Sequence, residues 1–221
     1  MSTDIPIDDR LRLIEIYPSI QGESTWAGKP CVFVRLAGCN LRCTWCDSEF
    51  TFTGGDHKSI AEVVEEACSH GIQVVEVTGG EPLAQRQAIP LMEKLIERGK
   101  TVLLETSGSI DISDVPEEVH VILDLKCPDS GESESNLWGN LDHLRKSTEI
   151  KFVIASKGDF DWAIAVCHEH PTLQAQEILF SPAHGIVSPT DLVEWILDSG
   201  IDARMQLQMH KYIWPPEARG V

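Results

Sequence analysis

Short, mostly apolar runs rich in β-branched residues recur along the chain at residues 31–37, 72–78, 100–106, 119–125, 149–155, 177–180 and 204–208, each bounded by turn residues. Runs of this kind predict strands buried on both faces, as in a parallel sheet. A further run at 11–17 predicts a strand ahead of them. Between several runs the period changes to that of a helix. Residues 59–70 open on Ser59 and place Ile60, Val63, Val64 and Ala67 on one face, and 82–98, 159–168 and 189–198 follow the same rule. Such alternation predicts an α/β fold with right-handed connections. The chain is too short for a complete eightfold barrel, which needs about 250 residues. Two crossovers also lack a helical pattern: 107–118 contains Ile110 to Pro116 with little room, and 128–148 carries the polar, acidic stretch Asp129 to Ser135. The expected architecture is a partial, open (βα)-type TIM barrel with trimmed helices, in a single domain spanning 1–221.

Charge narrows the range of partners. The 221 residues carry 18 Lys and Arg against 35 Asp and Glu, a formal net charge of -17. That balance repels DNA, RNA and anionic membranes, so neither a nucleic acid nor a membrane is expected as a partner. An anionic substrate has to be caught by local cations inside a pocket. No run approaches the roughly 18 consecutive apolar residues of a membrane span. The acidic residues 1–9 lack the charged-then-apolar order of an export signal, and a cytoplasmic protein is expected.

Seven cysteines are present, and three of them, Cys39, Cys43 and Cys46, fall within eight residues directly after the predicted strand at 31–37. In a reducing compartment such clustering indicates metal ligation rather than disulfides. Cysteine sulfur is the ligand of iron–sulfur clusters. A structural zinc would want a fourth Cys or His, and none lies close in sequence. Three cysteines on a cubane leave one iron open for an outside ligand. A tri-thiol zinc loop is the competing reading, and the other four cysteines, Cys31, Cys68, Cys127 and Cys167, read as packing residues.

The strand at 72–78 ends in Gly79-Gly80-Glu81-Pro82. Glycines admit a ligand close to the backbone, and an acid there can accept from an ammonium group. Alone, the same four residues also describe a strand-to-helix turn with Pro82 at the first helical position. In parallel α/β folds the ligand sits at the carboxyl ends of the strands. Glu105 to Gly108, Asp124-Leu125-Lys126 and Ser181-Pro182 are therefore further candidates, with Lys126 able to meet a carboxylate.

The spacing C-x3-C-x2-C, with Trp45 before the last cysteine and Gly-Gly-Glu-Pro about 30 residues on, resembles the signature of the radical S-adenosylmethionine (SAM) superfamily. The resemblance implies a 4Fe-4S cluster on Cys39, Cys43 and Cys46 whose open iron chelates the amino and carboxylate groups of SAM. It implies SAM contacts at Trp45, Cys46, Asp47, Gly80, Glu81, Ser107, Asp124, Lys126 and Ser181. Gly80 and Glu81 would hold the methionine amine.

Three further motifs, Ser19 to Glu23, Phe33 to Asn40 and Gln206 to Lys211, extend the resemblance from about Ile14 to Lys211 and make it similar to the 7-carboxy-7-deazaguanine synthase family. That family implies a pterin substrate, 6-carboxy-5,6,7,8-tetrahydropterin, contacted by Ile20, Gln21, Gly22, Glu23, Arg35, Thr78, Glu105, His210 and Pro216. Arg35 would grip the substrate carboxylate with its bidentate fork. It also implies a Mg2+ ion at Ser48, an external reductant such as flavodoxin or ferredoxin, and a homodimer. Ser48 stands where the family commonly has threonine, and a hydroxyl oxygen suits a hard cation, though a loop serine capping the next turn has the same sequence. The chain departs from the family at Asp124-Leu125-Lys126, where Ser-Pro-Lys is common, and at Ser181-Pro182, where Gln-Pro is common. Its tail also runs beyond Pro216.

Two rivals compete with that reading. A glycyl-radical activase shares the three cysteines, but no second cysteine-rich insertion is seen. A plain electron carrier leaves Gly-Gly-Glu-Pro unexplained.

Overall fold

A computed structural model of the chain describes residues 9–221. The acidic opening read above as unlike an export signal lies, up to Asp8, outside the described residues. Nine strands make one sheet: β1 (Arg10–Ile20), β2 (Pro30–Leu36), β3 (Asp56–Ser59), β4 (Val74–Gly79), β5 (Thr101–Thr106), β6 (His120–Asp124), β7 (Glu149–Ile154), β8 (Glu177–Pro182) and β9 (Arg204–Met205). Their order is β3-β1-β2-β4-β5-β6-β7-β8-β9. From β2 to β9 every neighbouring pair is parallel, and β1 runs antiparallel to both β2 and β3. The sheet is not closed between β3 and β9, so the partial, open barrel expected from the sequence is the architecture found.

The apolar runs became strands because both of their faces are covered. β7 is buried at all six positions, and β4 at five of six. Helices α1 (Ile60–Ser69), α2 (Ala88–Glu97), α3 (Lys157–Glu169) and α4 (Pro189–Ser199) cover the outer face. Helix α1 starts where Ser59 predicts, because Ser59 and Glu62 cap each other's backbone. Phe152, Phe160 and Phe180 are fully buried at the α3 side, with ring centroids 5.2 and 5.7 Å apart along the chain of contacts. Each such ring stabilises the fold by about 1.5–3 kcal/mol relative to exposure.

Three expected boundaries differ. The helix expected at 82–98 begins only at Ala88: Pro82–Ala84 is a single 3-10 turn. Gln85 then turns extended, and its side chain is spent on the Arg12 and Ala37 carbonyls and the Arg12 amide. The strand expected at 204–208 is two residues long. The first strand is longer than 11–17, and the edge strand β3 was not expected at all.

The two crossovers without helices are held instead by asparagines. The Asn140 amide donates to the Gly108 and Ile110 carbonyls at 3.1 and 2.9 Å and accepts from the Ile112 amide at 3.1 Å. Asn136 does the same for both backbone groups of Lys126 at 2.9 Å. Residues 128–143 form three short 3-10 turns rather than an unstructured loop. Buried backbone polar groups must be paired, and these two side chains do what a helix would have done.

The β1–β2 loop, residues 21–29, reaches across the barrel. The Ser24 amide donates to Gln206 at 2.6 Å, the Thr25 amide to Glu149 at 3.0 Å, and the Met209 amide to the Gly22 carbonyl at 3.1 Å. Gln21 to Glu23 are thereby carried from β1 to the side of the barrel formed by β7, β8 and β9. Gly22 makes the crossing possible, since a Cβ there would lie 2.8 Å from His210 Nδ1. Among the described residues no helix is long and apolar enough to cross a membrane.

Candidate active site

Strands that run parallel deliver their last residues to one rim. There the chain encloses a cavity of about 700 Å³, lined by every residue expected to hold the cluster, SAM, the pterin or Mg2+ except Glu81. Its wall toward β2 is the cysteine loop. Cys39, Cys43 and Cys46 are half-buried and face the same space. The acidic stretch after β6 backs this loop: the Thr44 amide donates to the Ser130 carbonyl at 3.0 Å, and the Arg42 amide to Glu132 at 2.6 Å. Burial raises the pKa of all three thiols, to about 11 at Cys43, where the nearby Lys126 ammonium works against it.

Gly80 lets β4 leave the sheet against this loop. A Cβ on Gly80 would stand 2.2 Å from the Gly38 carbonyl oxygen and 2.8 Å from Cys39 Cβ. The Glu81 amide donates to that same Gly38 oxygen at 2.9 Å. Glu81 was expected beside Gly80 as a partner of the methionine amine. Its side chain is fully buried and accepts four hydrogen bonds: from Leu83 N and Thr106 Oγ1, both at 2.9 Å, from Ser107 N at 2.7 Å, and from Ser107 Oγ at 2.6 Å. The carboxylate is saturated by protein donors and turned away from the cavity. It ties the ends of β4 and β5 together, and Gly80 alone of the pair lines the space.

Beside the cysteine loop, Lys126 Nζ donates to Asp124 Oδ2 at 2.9 Å and lies 5.1 Å from the centre of the Trp45 ring. Burial lowers the lysine pKa, but Asp124 outweighs it, and the ammonium is held above its usual value. Asp124 Oδ1 and Trp45 Nε1 are buried without a hydrogen-bond partner among the described residues. An acceptor and a donor left open beside three thiols fit a bound amino acid moiety next to a cluster. Ser181 Oγ, expected as a ligand contact, accepts from Gln206 at 2.9 Å, and it too lines the cavity.

Arg35 reaches the cavity with part of its fork already engaged. Its Nε donates to Glu15 at 2.8 Å and its Nη2 to the Tyr17 hydroxyl at 2.6 Å. The expected grip on a carboxylate is therefore left to the Nη1 side. Ser48 Oγ donates to Asp47 Oδ1 at 2.9 Å, and Asp47 Oδ2 accepts from Lys211 at 2.7 Å and Gln208 at 3.2 Å. Loss of water raises the Asp47 pKa, but Lys211 and these hydrogen bonds outweigh it and hold the carboxyl well below the usual range. The tail folds over the mouth, bringing Pro216 to the cavity and Arg219 to 3.9 Å from the Phe50 ring centre.

The floor holds what sequence reasoning missed. Lys151, in the middle of β7, donates to Glu105 at 2.6 Å and to Glu23 at 2.9 Å. Burial works to raise the pKa of Glu105, but Lys151 more than offsets it, so Glu105 is lowered. For Glu23 burial prevails over Lys151, and its pKa is pushed up to about 6. Glu76, in β4, accepts from the Gln21 side chain, and burial followed by Glu105 and Glu23 drives its pKa well above the carboxylate range. His210 is pushed down by burial and by Lys211. The signal for Glu76 and Lys151 was present: each is a charge buried inside a strand, a placement that is rare unless the charge is paired.

Known proteins share both the sequence and the shape. The Radical SAM superfamily profile matches residues 34–168. A 7-carboxy-7-deazaguanine synthase of Koribacter versatilis is 45% identical over 96% of this chain and 100% of its own, and one of Chlorobaculum tepidum is 42% identical over 100% of both. The crystal structure of QueE from Escherichia coli superposes with a TM-score of 0.76 at 22% identity, over 91% of this chain and 95% of that one, which is a likeness of fold. With three thiols on one wall, a glycine-framed rim beside them and relatives matched along their full length, the chain belongs to the radical SAM superfamily and, within it, to the 7-carboxy-7-deazaguanine synthase family.

Proposed function

We propose that this protein is a radical SAM lyase that converts 6-carboxy-5,6,7,8-tetrahydropterin to 7-carboxy-7-deazaguanine with release of ammonia. The observation that supports it most is the shared cavity of about 700 Å³, lined both by three thiols and by an acidic, lysine-paired floor. When bound, a 4Fe-4S cluster and SAM supply the 5'-deoxyadenosyl radical, which the protein side chains cannot generate.

The chain's own residues bind, orient and exclude water. Cys39, Cys43 and Cys46 would ligate the cluster. Asp124, through its open Oδ1, Trp45, through its open Nε1, and the Gly80 backbone would take the amino acid end of SAM, with Asp47, Ser107, Lys126 and Ser181 around it. Glu81 acts behind them by fixing Ser107. On the substrate side, the free edge of Arg35 would take the carboxylate. Glu23 and Glu105 would accept from the N–H donors of the ring, with Ile20, Gln21, Gly22, Thr78, His210 and Pro216 closing round it. Holding the reactants in one dry, fixed geometry lowers the entropic part of the barrier. A Mg2+ ion at the Ser48 hydroxyl, offered by a residue on the cavity wall, would add Lewis acidity. Family membership also supports a single-domain protomer in a homodimer, in the cytoplasm, reduced by flavodoxin or ferredoxin.

The test is mass spectrometry of the products after anaerobic cluster reconstitution with SAM, reductant, Mg2+ and the pterin. Appearance of 7-carboxy-7-deazaguanine is expected. Formation of 5'-deoxyadenosine and methionine with no pterin-derived product would refute the substrate, and formation of neither in cluster-loaded protein would refute the reaction class.

A further inference from the structure

Glu23 and Glu105 arrive at the floor from distant elements, one from the β1–β2 loop and one from β5, and neither is fixed by its neighbours along the chain. What joins them is Lys151. Its side chain is 5% exposed, and its ammonium donates to both carboxylates, at 2.9 and 2.6 Å. Glu23 spends Oε2 on this contact, and its Oε1 is buried with no hydrogen-bond partner among the described residues, although Glu23 lines the cavity. Glu76 brings a third carboxyl to the same pocket.

An ammonium between two carboxylates does two things. It sets their mutual position, since breaking a buried pair leaves an uncompensated charge that drags the side chain elsewhere. It also preserves their character as acceptors, because carboxyls crowded together without a cation take up protons and become donors. The amino-oxo-pyrimidine edge of a pterin presents N–H groups and needs acceptors facing it. We propose that Lys151 is a positioning residue of the pterin pocket, holding Glu23 and Glu105 aimed as acceptors at the N–H edge of the substrate. The inference rests on the proposed function and deepens it. Lys151 acts through the two carboxylates and not on the cluster wall.

The experiment compares wild type with Lys151→Met, and with Lys151→Leu, which likewise lacks the ammonium and is read in the same way should methionine impair folding. Iron and sulfide content, 5'-deoxyadenosine formation without pterin, and kcat and KM for 6-carboxytetrahydropterin are measured on cluster-loaded protein. Lys151→Met is expected to keep cluster content and pterin-free 5'-deoxyadenosine formation within twofold of wild type while KM for the pterin rises at least tenfold. Adding Glu105→Gln to it is expected to raise KM by less than Glu105→Gln does alone in wild type. A KM within twofold of wild type overturns the inference alone. So does a loss of cluster and of 5'-deoxyadenosine in step with turnover, which marks a merely structural lysine. A wild-type enzyme that makes 5'-deoxyadenosine but no deazaguanine product overturns the functional reading, and this inference with it.

Discussion

Replacing Glu81 by glutamine separates two roles that the Gly-Gly-Glu-Pro motif allows for its acid. In the structure each carboxylate oxygen receives one backbone N–H: Oε1 from Leu83 at 2.9 Å and Oε2 from Ser107 at 2.7 Å. The hydroxyls of Thr106 and Ser107 add a second donor to each oxygen and can rotate away, but the backbone amides cannot. Whichever way a glutamine turns, its NH2 group faces one of those amides. One buried N–H then loses its acceptor, at about 1–3 kcal/mol, and the remaining bonds lose their charge assistance, at about 0.5–1 kcal/mol. The sum is a destabilisation of about 1.5–4 kcal/mol. With a urea slope near 2 kcal/mol per molar, typical for small proteins, the unfolding midpoint moves down by about 0.8–2 M. Far-UV circular dichroism against urea, done anaerobically, measures it, beside equilibrium binding of SAM to cluster-loaded protein. A midpoint unchanged within about 0.2 M together with SAM affinity reduced tenfold or more would refute the reasoning, because the carboxylate would then be a ligand contact and not a strut.

Further outcomes follow from the same geometry. Cys43→Ala is expected to abolish cluster absorbance and turnover, whereas Cys68→Ala, at a partly buried position packed against the core, keeps the cluster; ultraviolet–visible spectra after reconstitution decide between them. Gly80→Ala forces a methyl to within 2.2 Å of the Gly38 carbonyl, so the cysteine loop must shift, and iron content at equal protein concentration is expected to fall below half. The Glu23 carboxyl has its pKa raised from 4.5 to about 6, so the folded state holds this proton more tightly than the unfolded one. Its contribution to stability is therefore fully present below the unfolded value and is lost as pH rises through the folded one. Denaturation at pH 4.5 and pH 6.5 is expected to show wild type losing stability relative to Glu23→Gln, and equal changes in the two proteins would contradict the raised pKa.

The strands were legible because burial on both faces leaves little but apolar residues to write them with, and α1 because Ser59 and Glu62 sign its start. Strand β3 was not, since Asp56 to Ser59 pair only with β1 at an edge and need no apolar face. The start of α2 was hidden because Gln85 trades its helical backbone for contacts with Arg12, a residue 73 positions away. At the site, residue types at strand ends showed which groups reach the rim. They could not show direction: Glu81 follows Gly80 by one position, yet its carboxylate points into the protein. Lys151 was the hardest to find, because a charge in a strand acquires meaning only from partners that the chain brings from two other elements.

The loop between β1 and β2 also governs when the pocket comes into being. Its bond from Ser24 to Gln206 spans 182 residues, and the one from Thr25 to Glu149 spans 124. Contacts of such range are the slowest to close in a folding chain. A ribosome will have presented the cysteine loop and most of the parallel strands before Gln206 emerges to catch Ser24, so the thiol wall precedes the acidic floor in time. The substrate half of the cavity is thus a late product of synthesis, assembled only once the chain has been made past Gln206.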